Sequence, residues 1–282
     1  MDSLFITLQK LLPQHALSRL LGWVAQSELR FVAQPLIKAF MRAYKISLTE
    51  AQRKQPADYR SFNDFFTRAL EADARPVTPD NNLLLSPADG YVSQLGPIES
   101  GTLLQAKGVS YSLAELLGND TGTDDQAPTQ PPSAGQFITI YLAPSNYHRV
   151  HAPTAGQLSS TVAIPGKLFS VNETTANSIP GLFCRNERLV CHYASDQGPV
   201  SLVFVGAMIV ASIETVWPET PSPYRNKSTR QVTHAFKQGE ELGRFLLGST
   251  VILCLPPNVR FDSNLTPGAP VQMGQRLGEW LH

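Results

Sequence analysis

Three places in this 282-residue chain carry side chains that could do chemistry together. The first is the pair His148 and His151. Six histidines invite a metal-centre reading, but only these two lie close together, and no His-x-x-x-His or Cys/His cluster surrounds them. On a strand an odd separation sends two side chains to opposite faces, whereas i,i+3 on a helical turn puts them on the same side. Pro144, Ser145 and Asn146 supply a turn before the pair and Pro153 ends the element after it, so the spacing predicts one helical turn presenting both imidazoles to one site. The second place is Ser249, preceded by Gly248 and flanked on both sides by apolar, β-prone residues. The G-x-S-x-G elbow of a serine hydrolase is absent. Gly248 has no Cβ, tolerates strained backbone and leaves its carbonyl open to attack by the adjacent hydroxyl. The third is Asp89 in Ser86-Pro87-Ala88-Asp89-Gly90. By themselves Asp89-Gly90 is an ordinary turn and Gly248-Ser249-Thr250 an ordinary bulge or turn. Together, Asp, His and Ser are the groups by which a carboxylate orients an imidazole that takes a proton from a hydroxyl.

The elements that must position these groups are predicted to be mostly strands. The chain has 19 glycines and 22 prolines, and only 16% of its residues are charged, which favours a turn-rich, β-rich fold over a helical bundle. From Ser86 onward short β-like segments alternate with turn clusters such as Pro165-Gly166, Pro180-Gly181 and Pro267-Gly268. The longest apolar run, Leu202 to Ala211, reads as a buried strand, with a kink at Gly206 left open. A helix is predicted within Pro56–Leu70, with Ser61 as N-cap and Asp64 in the third helical position of a capping box. Residues 118–136 are polar, acidic and Pro-rich and are expected to form a mobile surface loop. Twenty-three basic and 23 acidic residues balance, so nothing global points to nucleic acid as a partner. Cys184, Cys191 and Cys254 are odd in number and lack a Cys-x-x-Cys pair, which argues against a disulfide framework and for a reducing compartment.

Residues 1–55 differ in character. Apolar residues recur at helical spacing (Leu4, Phe5, Leu8; Leu17, Leu20, Leu21, Val24; Phe31, Val32, Leu36, Ile37, Phe40), with Pro13 and Pro35 marking expected breaks. Up to residue 48, six cations face only Asp2 and Glu28, a net charge of +4 in a neutral protein. These residues fit helices packed on the core with a solvated basic face. They equally fit an amphipathic segment lying on an anionic bilayer, where each cation near the surface adds about 1 kcal/mol. No run approaches the roughly 20 apolar residues of a spanning helix, and Lys10, His15 and Arg19 interrupt any secretory h-region.

Several ordered stretches resemble the pyruvoyl-dependent phosphatidylserine decarboxylases of the bacterial membrane-associated type. They are Ser61-Phe62-Asn63-Asp64-Phe65-Phe66-Thr67-Arg68, Ala74-Arg75-Pro76, Pro87-Ala88-Asp89-Gly90, and Lys107-Gly108 with Tyr111-Ser112-Leu113. Tyr147-His148-Arg149-Val150-His151, Pro165-Gly166-Lys167-Leu168-Phe169-Ser170-Val171-Asn172, Asn186-Glu187-Arg188 and Leu247-Gly248-Ser249-Thr250 come next in the family order. Singly these are weak; in order, from about residue 58 to the C-terminus, they are specific. Only the 118–136 loop departs from the pattern, by its length.

The resemblance implies an α+β, mainly β fold: a barrel-like antiparallel catalytic domain over residues 56–282 behind an N-terminal amphipathic helical region over 1–55. It implies a self-processing zymogen. His151, oriented by Asp89, would take the proton from Ser249, whose oxygen attacks the Gly248 carbonyl and converts the amide to an ester. Loss of the Ser249 α-proton then expels Gly248 as a carboxylate and leaves a dehydroalanine, which tautomerises to an imine and loses ammonia to water, making Ser249 an N-terminal pyruvoyl group, the covalent cofactor. The products would be a long chain, 1–248, and a short chain, 249–282. The pyruvoyl group would form a Schiff base with phosphatidylserine in an anionic membrane and accept electrons as CO₂ leaves. His148, with a pKa near neutrality, would protonate the resulting carbon on the way to phosphatidylethanolamine. The resemblance further implies a homodimer of processed units, peripheral on the cytoplasmic side of the inner membrane; the charge balance and the histidine and cysteine spacing add the expectation of no nucleic acid and no metal. Two alternatives remain at this point: a serine hydrolase using Asp89, His151 and Ser249, and a non-catalytic lipid-binding module using the N-terminal helices.

Overall fold

In a computed structural model, which describes residues 14–106, 108–119, 134–207, 213–220, 222–246 and 249–281, the chain begins with two helices, α1 (Gln14–Gln26) and α2 (Arg30–Tyr44). Pro35 does not break the second; it lies inside α2. The carbonyl it leaves without a donor is that of Phe31, on an exposed turn where water can serve instead. Pro13 falls outside the described residues. The helix expected between residues 56 and 70 is shorter than the sequence indicates: a 3₁₀ turn at Pro56–Asp58, then α3 (Phe62–Phe66). The Ser61 hydroxyl caps it by accepting from Asp64 N–H at 3.1 Å. The Asp64 carboxylate reaches one residue further back than in a capping box, to Arg60 N–H at 3.0 Å, and takes a bidentate ion pair from Arg53 at 2.7 and 2.6 Å. Phe62, Phe65 and Phe66 then pack on Ile37 and Phe40 of α2 and with Ala25, Ile46 and Tyr59, a small core separate from that of the sheet.

The strands run in chain order as β1 (Leu83–Leu85), β2 (Gly90–Ile98), β3 (Thr102–Ala106), β4 (Val109–Ser112) and β5 (Gly135–Leu142). Next come β6 (Arg149–His151), β7 (Gly156–Ile164), β8 (Arg188–Ser195), β9 (Gly198–Val205), β10 (Ile213–Thr215) and β11 (Ser228–Phe236). The chain ends with β12 (Glu241–Phe245), β13 (Ser249–Leu255), β14 (Val259–Phe261), β15 (Pro270–Val271) and β16 (Arg276–Trp280). Eight of them form one antiparallel sheet in the order β11-β7-β8-β9-β13-β5-β2-β15. The mainly-β class is as expected, but this sheet is open, not a closed barrel. One edge ends in the two-residue β15, whose Pro270 has no N–H to offer a further strand, and the other in the largely exposed β11. The apolar run at 202–211 gives a strand only as far as Val205, so β9 stops before Gly206; residues 208–212 lie outside the described residues.

Strand β13 is the centre of the sheet. All seven of its residues are buried, because β5 and β9 flank it and the core covers both faces. This is why Val251–Leu255 reads as a continuous apolar run. After Leu113–Leu117 (α4) Gly118 takes a left-handed φ of 81°. Of the long loop expected at 118–136, residues 120–133 lie outside the described residues.

Candidate active site

The residues singled out from the sequence lie at the start of β13, on the stretch that leads from the end of β5 through β6, and on the turn before β2. Ser249 is its first residue, fully buried, in register with Leu142 at the end of β5, and its Oγ has no hydrogen-bond partner among the described residues. Gly248 lies outside the described residues. On the other side of the junction Phe245 N–H donates to the His148 carbonyl at 3.0 Å. The two flanks of the junction are therefore fastened to the two ends of one segment, Leu142 to His148.

That segment is where the structure departs from the expected helical turn. Its turn closes early: Ala143 N–H donates to Asn146 Oδ1 at 2.7 Å and Asn146 N–H to the Ala143 carbonyl at 2.9 Å. From there the chain is extended, because β6 pairs with β12 through His151 opposite Glu241 and Arg149 opposite Arg244. The two imidazoles accordingly have different neighbours. His148 is fully buried, its ring 4.0 Å from that of Phe66, with Nδ1–H donating to the Asn146 carbonyl at 2.8 Å and Nε2 without a partner among the described residues. Burial, reinforced by the Arg68 charge, pulls its pKa down to about 3, so the near-neutral value expected from sequence is corrected.

His151 is held in one tautomer. Its Nδ1–H donates to the Gly239 carbonyl at 2.9 Å, which leaves Nε2 as an acceptor for the Tyr147 O–H at 3.0 Å. Burial also lowers its pKa, so the ring is neutral at pH 7 and Nε2 carries no proton. Asp89 does not make the hydrogen bond to His151 that a triad would require. Its oxygens accept from Arg75 Nε at 3.1 Å, Arg75 Nη2 at 2.6 Å and Met273 N–H at 2.8 Å. The carboxylate still acts on His151 through space, and the two segments are stitched by His151 N–H donating to the Pro87 carbonyl at 2.8 Å. Gly90 is needed next to it: a Cβ there would lie 2.4 Å from the Tyr141 carbonyl of β5.

Sequence reasoning missed three contributors. Arg75 stood in a recognised stretch, yet its salt bridges to Asp89 (2.6 Å) and Glu50 (3.0 Å) depend on how the chain folds back. Tyr147 stands beside the histidines in another such stretch, but its residue type alone does not tell that its hydroxyl meets His151 Nε2. Gly239 contributes a backbone carbonyl, which no residue type advertises. Asn186-Glu187-Arg188 turns out to be scaffold: the Asn186 amide bonds both the N–H and C=O of Phe169 and the carbonyl of Gly206, clamping the 165–172 segment to the sheet. Among the described residues no group of three or more His, Cys, Asp or Glu could hold a metal ion, and the three cysteines are buried and form no disulfide.

Comparison with known proteins decides the family. A family model described as phosphatidylserine decarboxylase matches residues 62–279, and a second, described as PSD, matches residues 4–45. The chain belongs to the phosphatidylserine decarboxylase family. It is 50% identical to the phosphatidylserine decarboxylase proenzyme of Alcanivorax borkumensis, with 100% of this chain and 97% of the relative covered. It is 49% identical to that of Pseudomonas fluorescens (98% and 96% covered) and 50% identical to that of Azotobacter vinelandii (99% and 98% covered). All three relatives carry the word proenzyme, and membership makes this chain a carboxy-lyase by family.

Proposed function

We propose that this chain cuts itself between Gly248 and Ser249 and, once cut, decarboxylates phosphatidylserine to phosphatidylethanolamine. The observation that carries the reading is a fully buried Ser249 hydroxyl without a partner among the described residues, at the first residue of the central strand, in a protein whose His151 is neutral with its tautomer fixed. A pyruvoyl group made from Ser249 fits this place. The residue is small, shielded from water, and anchored on its C-terminal side by the β5 and β9 ladders, so it stays put when the bond before it is lost. When present, that group supplies a ketone whose conjugated amide accepts electrons as CO₂ departs.

The chain's own residues do the rest. His151 Nε2 receives the Ser249 proton, with Tyr147 relinquishing its hydrogen bond or passing the proton along; general-base help of this kind is typically worth about 10²–10⁴-fold. Asp89, held by Arg75, stabilises the resulting imidazolium as a fixed charge. Attack of Oγ on the Gly248 carbonyl forms the ester as the Gly248–Ser249 C–N bond breaks and the Ser249 nitrogen takes the proton. Removal of the Ser249 α-proton breaks the Cβ–O bond and releases Gly248 as a carboxylate, and water hydrolyses the imine tautomer of the resulting dehydroalanine to the ketone and ammonia. His148 relays the proton bound for the product carbon. With its pKa near 3 that proton arrives during turnover and is not stored beforehand. A serine hydrolase is disfavoured because Asp89 is committed to Arg75 and Met273, and the relatives lend it no support.

The helices of residues 1–55 form the docking region and residues 56–282 the catalytic one. No helix among the described residues is long and apolar enough to cross a membrane. Trp23 (79% exposed), Phe31 (76%) and Leu20 on α1 and α2, and Leu29 just before α2, instead stand on the surface among exposed Arg19, Arg30, Lys38 and Arg42. Such a face suits peripheral attachment to the anionic cytoplasmic leaflet, where the substrate lies. Mass spectrometry tests the whole scheme. Wild type is expected as fragments 1–248 and 249–282, the shorter with a blocked, carbonyl-reactive start, and Ser249→Ala as one intact chain without CO₂ release. An unmodified, uncut wild type that still turns over phosphatidylserine would refute it.

A further inference from the structure

Among the described residues, the arginines other than Arg68 that are buried or half-buried near the sheet have their charge accounted for. Arg75 faces Asp89 and Glu50, Arg149 faces Glu241, and Arg188 directs its guanidinium to the backbone carbonyls of Glu115, Leu116, Cys184 and Asn186. Arg68 is different. It is only 5% exposed, and no carboxylate among the described residues lies within ion-pair distance of it. Its Nη2 donates to the carbonyls of Ser145 (3.1 Å) and Asn146 (3.4 Å), while Nη1 has no partner among the described residues. The carboxylates that act on it from further off, Asp89 and Glu50, are both engaged by Arg75. The Arg68 guanidinium lies over the Phe65 ring, 5.6 Å from Cζ to the centroid, which leaves the Nη1 edge unmatched. A buried cation with an unmatched N–H edge is costly for a folded protein unless an anion completes it.

Its position says which anion. Arg68 lies just after α3, at the boundary between the helical core and the sheet, and bonds the segment that runs from Leu142 to His148. One end of that segment is in register with Ser249 and the other accepts from Phe245, so Arg68 bonds the turn that joins the two anchors of the junction. Its charge reaches His148, whose pKa it helps to depress. The phosphatidylserine head group carries two anions, the carboxylate and the phosphodiester. A cation on the carboxylate would stabilise the ground state and lose its partner as CO₂ leaves, which opposes the reaction. A cation on the phosphodiester keeps its partner throughout, binding substrate and product alike.

We propose that Arg68 is a substrate-binding residue whose Nη1 takes the phosphodiester of the phosphatidylserine head group. The assignment rests on the function proposed above. Binding that is the same in ground and transition states appears in KM and in product affinity, not chiefly in kcat.

The test uses processed wild type, Arg68→Met and Arg68→Lys, each first checked for cleavage into fragments 1–248 and 249–282. KM and kcat are measured on phosphatidylserine in detergent micelles. Calorimetric titration gives the Kd of short-chain dihexanoyl phosphatidylethanolamine, which has the phosphodiester and no carboxylate. Losing a charge-assisted contact should raise KM and this Kd together by roughly 10- to 100-fold in Arg68→Met, with kcat falling by less than KM rises. Arg68→Lys, which keeps the charge but not the fork, should lose roughly 3- to 10-fold in both, and it alone decides the matter if Arg68→Met does not fold or cleave. An unchanged product Kd overturns the assignment, whether KM is also unchanged or rises alone; the latter would put Arg68 on the carboxylate. Those outcomes leave the decarboxylase reading intact, whereas a wild type that neither cleaves nor releases CO₂ removes both.

Discussion

Replacing Arg75 by Met should separate the structural from the chemical duties of Asp89. The two side chains are each 8% exposed and are joined by two N–H···O bonds at 3.1 and 2.6 Å. At an effective dielectric near 20 and a charge separation of about 4 Å, their attraction is about 4 kcal/mol. Removing one member of such a pair typically costs about 3–5 kcal/mol, because the other charge is left buried. Asp89 would keep only the Met273 N–H at 2.8 Å, and Glu50, which is half in solvent, would simply hydrate. The expected loss is therefore about 3–4 kcal/mol, dominated by the stranded carboxylate. Urea unfolding measures it in a Ser249→Ala background, where the chain stays whole and self-cleavage cannot confound the transition; with slopes of about 1–3 kcal/mol/M the midpoint should fall by about 1 M or more. If the stranded charge is the cause, adding Asp89→Leu to Arg75→Met should restore at least half of the loss. With Ser249 in place, Arg75→Met should also cleave more slowly, since Asp89 loses two of its three anchors. A loss below about 1 kcal/mol, or a double variant no better than the sum of its parts, would show that the pair is not what holds Asp89.

Burial and exposure carry two further expectations. His148 and His192 titrate in the folded chain near pH 3 and pH 4, both lowered chiefly by desolvation. Below their unfolded pKa of about 6.5 the unfolded chain binds more protons than the folded one, so their contribution is complete above about pH 6.5 and is lost as pH falls toward 4. Each should cost about 2 kcal/mol at pH 5 relative to pH 7, and His192→Gln in the Ser249→Ala background should flatten the pH dependence of urea stability by about that amount; identical curves would contradict it. At the other end of the chain, Trp23→Ser and Phe31→Ser should each weaken sedimentation with phosphatidylserine-containing vesicles by about tenfold or more while leaving self-cleavage unaffected. Unchanged vesicle binding would remove α1 and α2 as the docking face.

What was legible in the sequence is what residue type and short-range spacing determine. Turn clusters and β-branched runs announced the strands, Ser61 announced the cap of α3, and the Gly-Ser-Thr at the head of a buried strand marked the place where chemistry could start. The failures have a common cause: the deciding partner is remote in sequence. The spacing of His148 and His151 fits a helical turn as well as a strand, and it is β12, about 90 residues later, that makes it a strand. The basicity of His148 depends on Phe66 and Arg68, which arrive from the other core. The tautomer of His151 is fixed by the Gly239 carbonyl, so the orienting role expected of Asp89 is already filled by a backbone atom. In the function proposed above that leaves Asp89 an electrostatic role, and it gives the arrangement a checkable asymmetry. If the carboxylate acts as a held charge, Asp89→Asn should slow proton transfer to His151 without releasing the ring from Gly239, so the variant's His151 Nδ1–H resonance should persist in its wild-type hydrogen-bonded position. A ring that loses that bond would mean that Asp89 orients His151 after all.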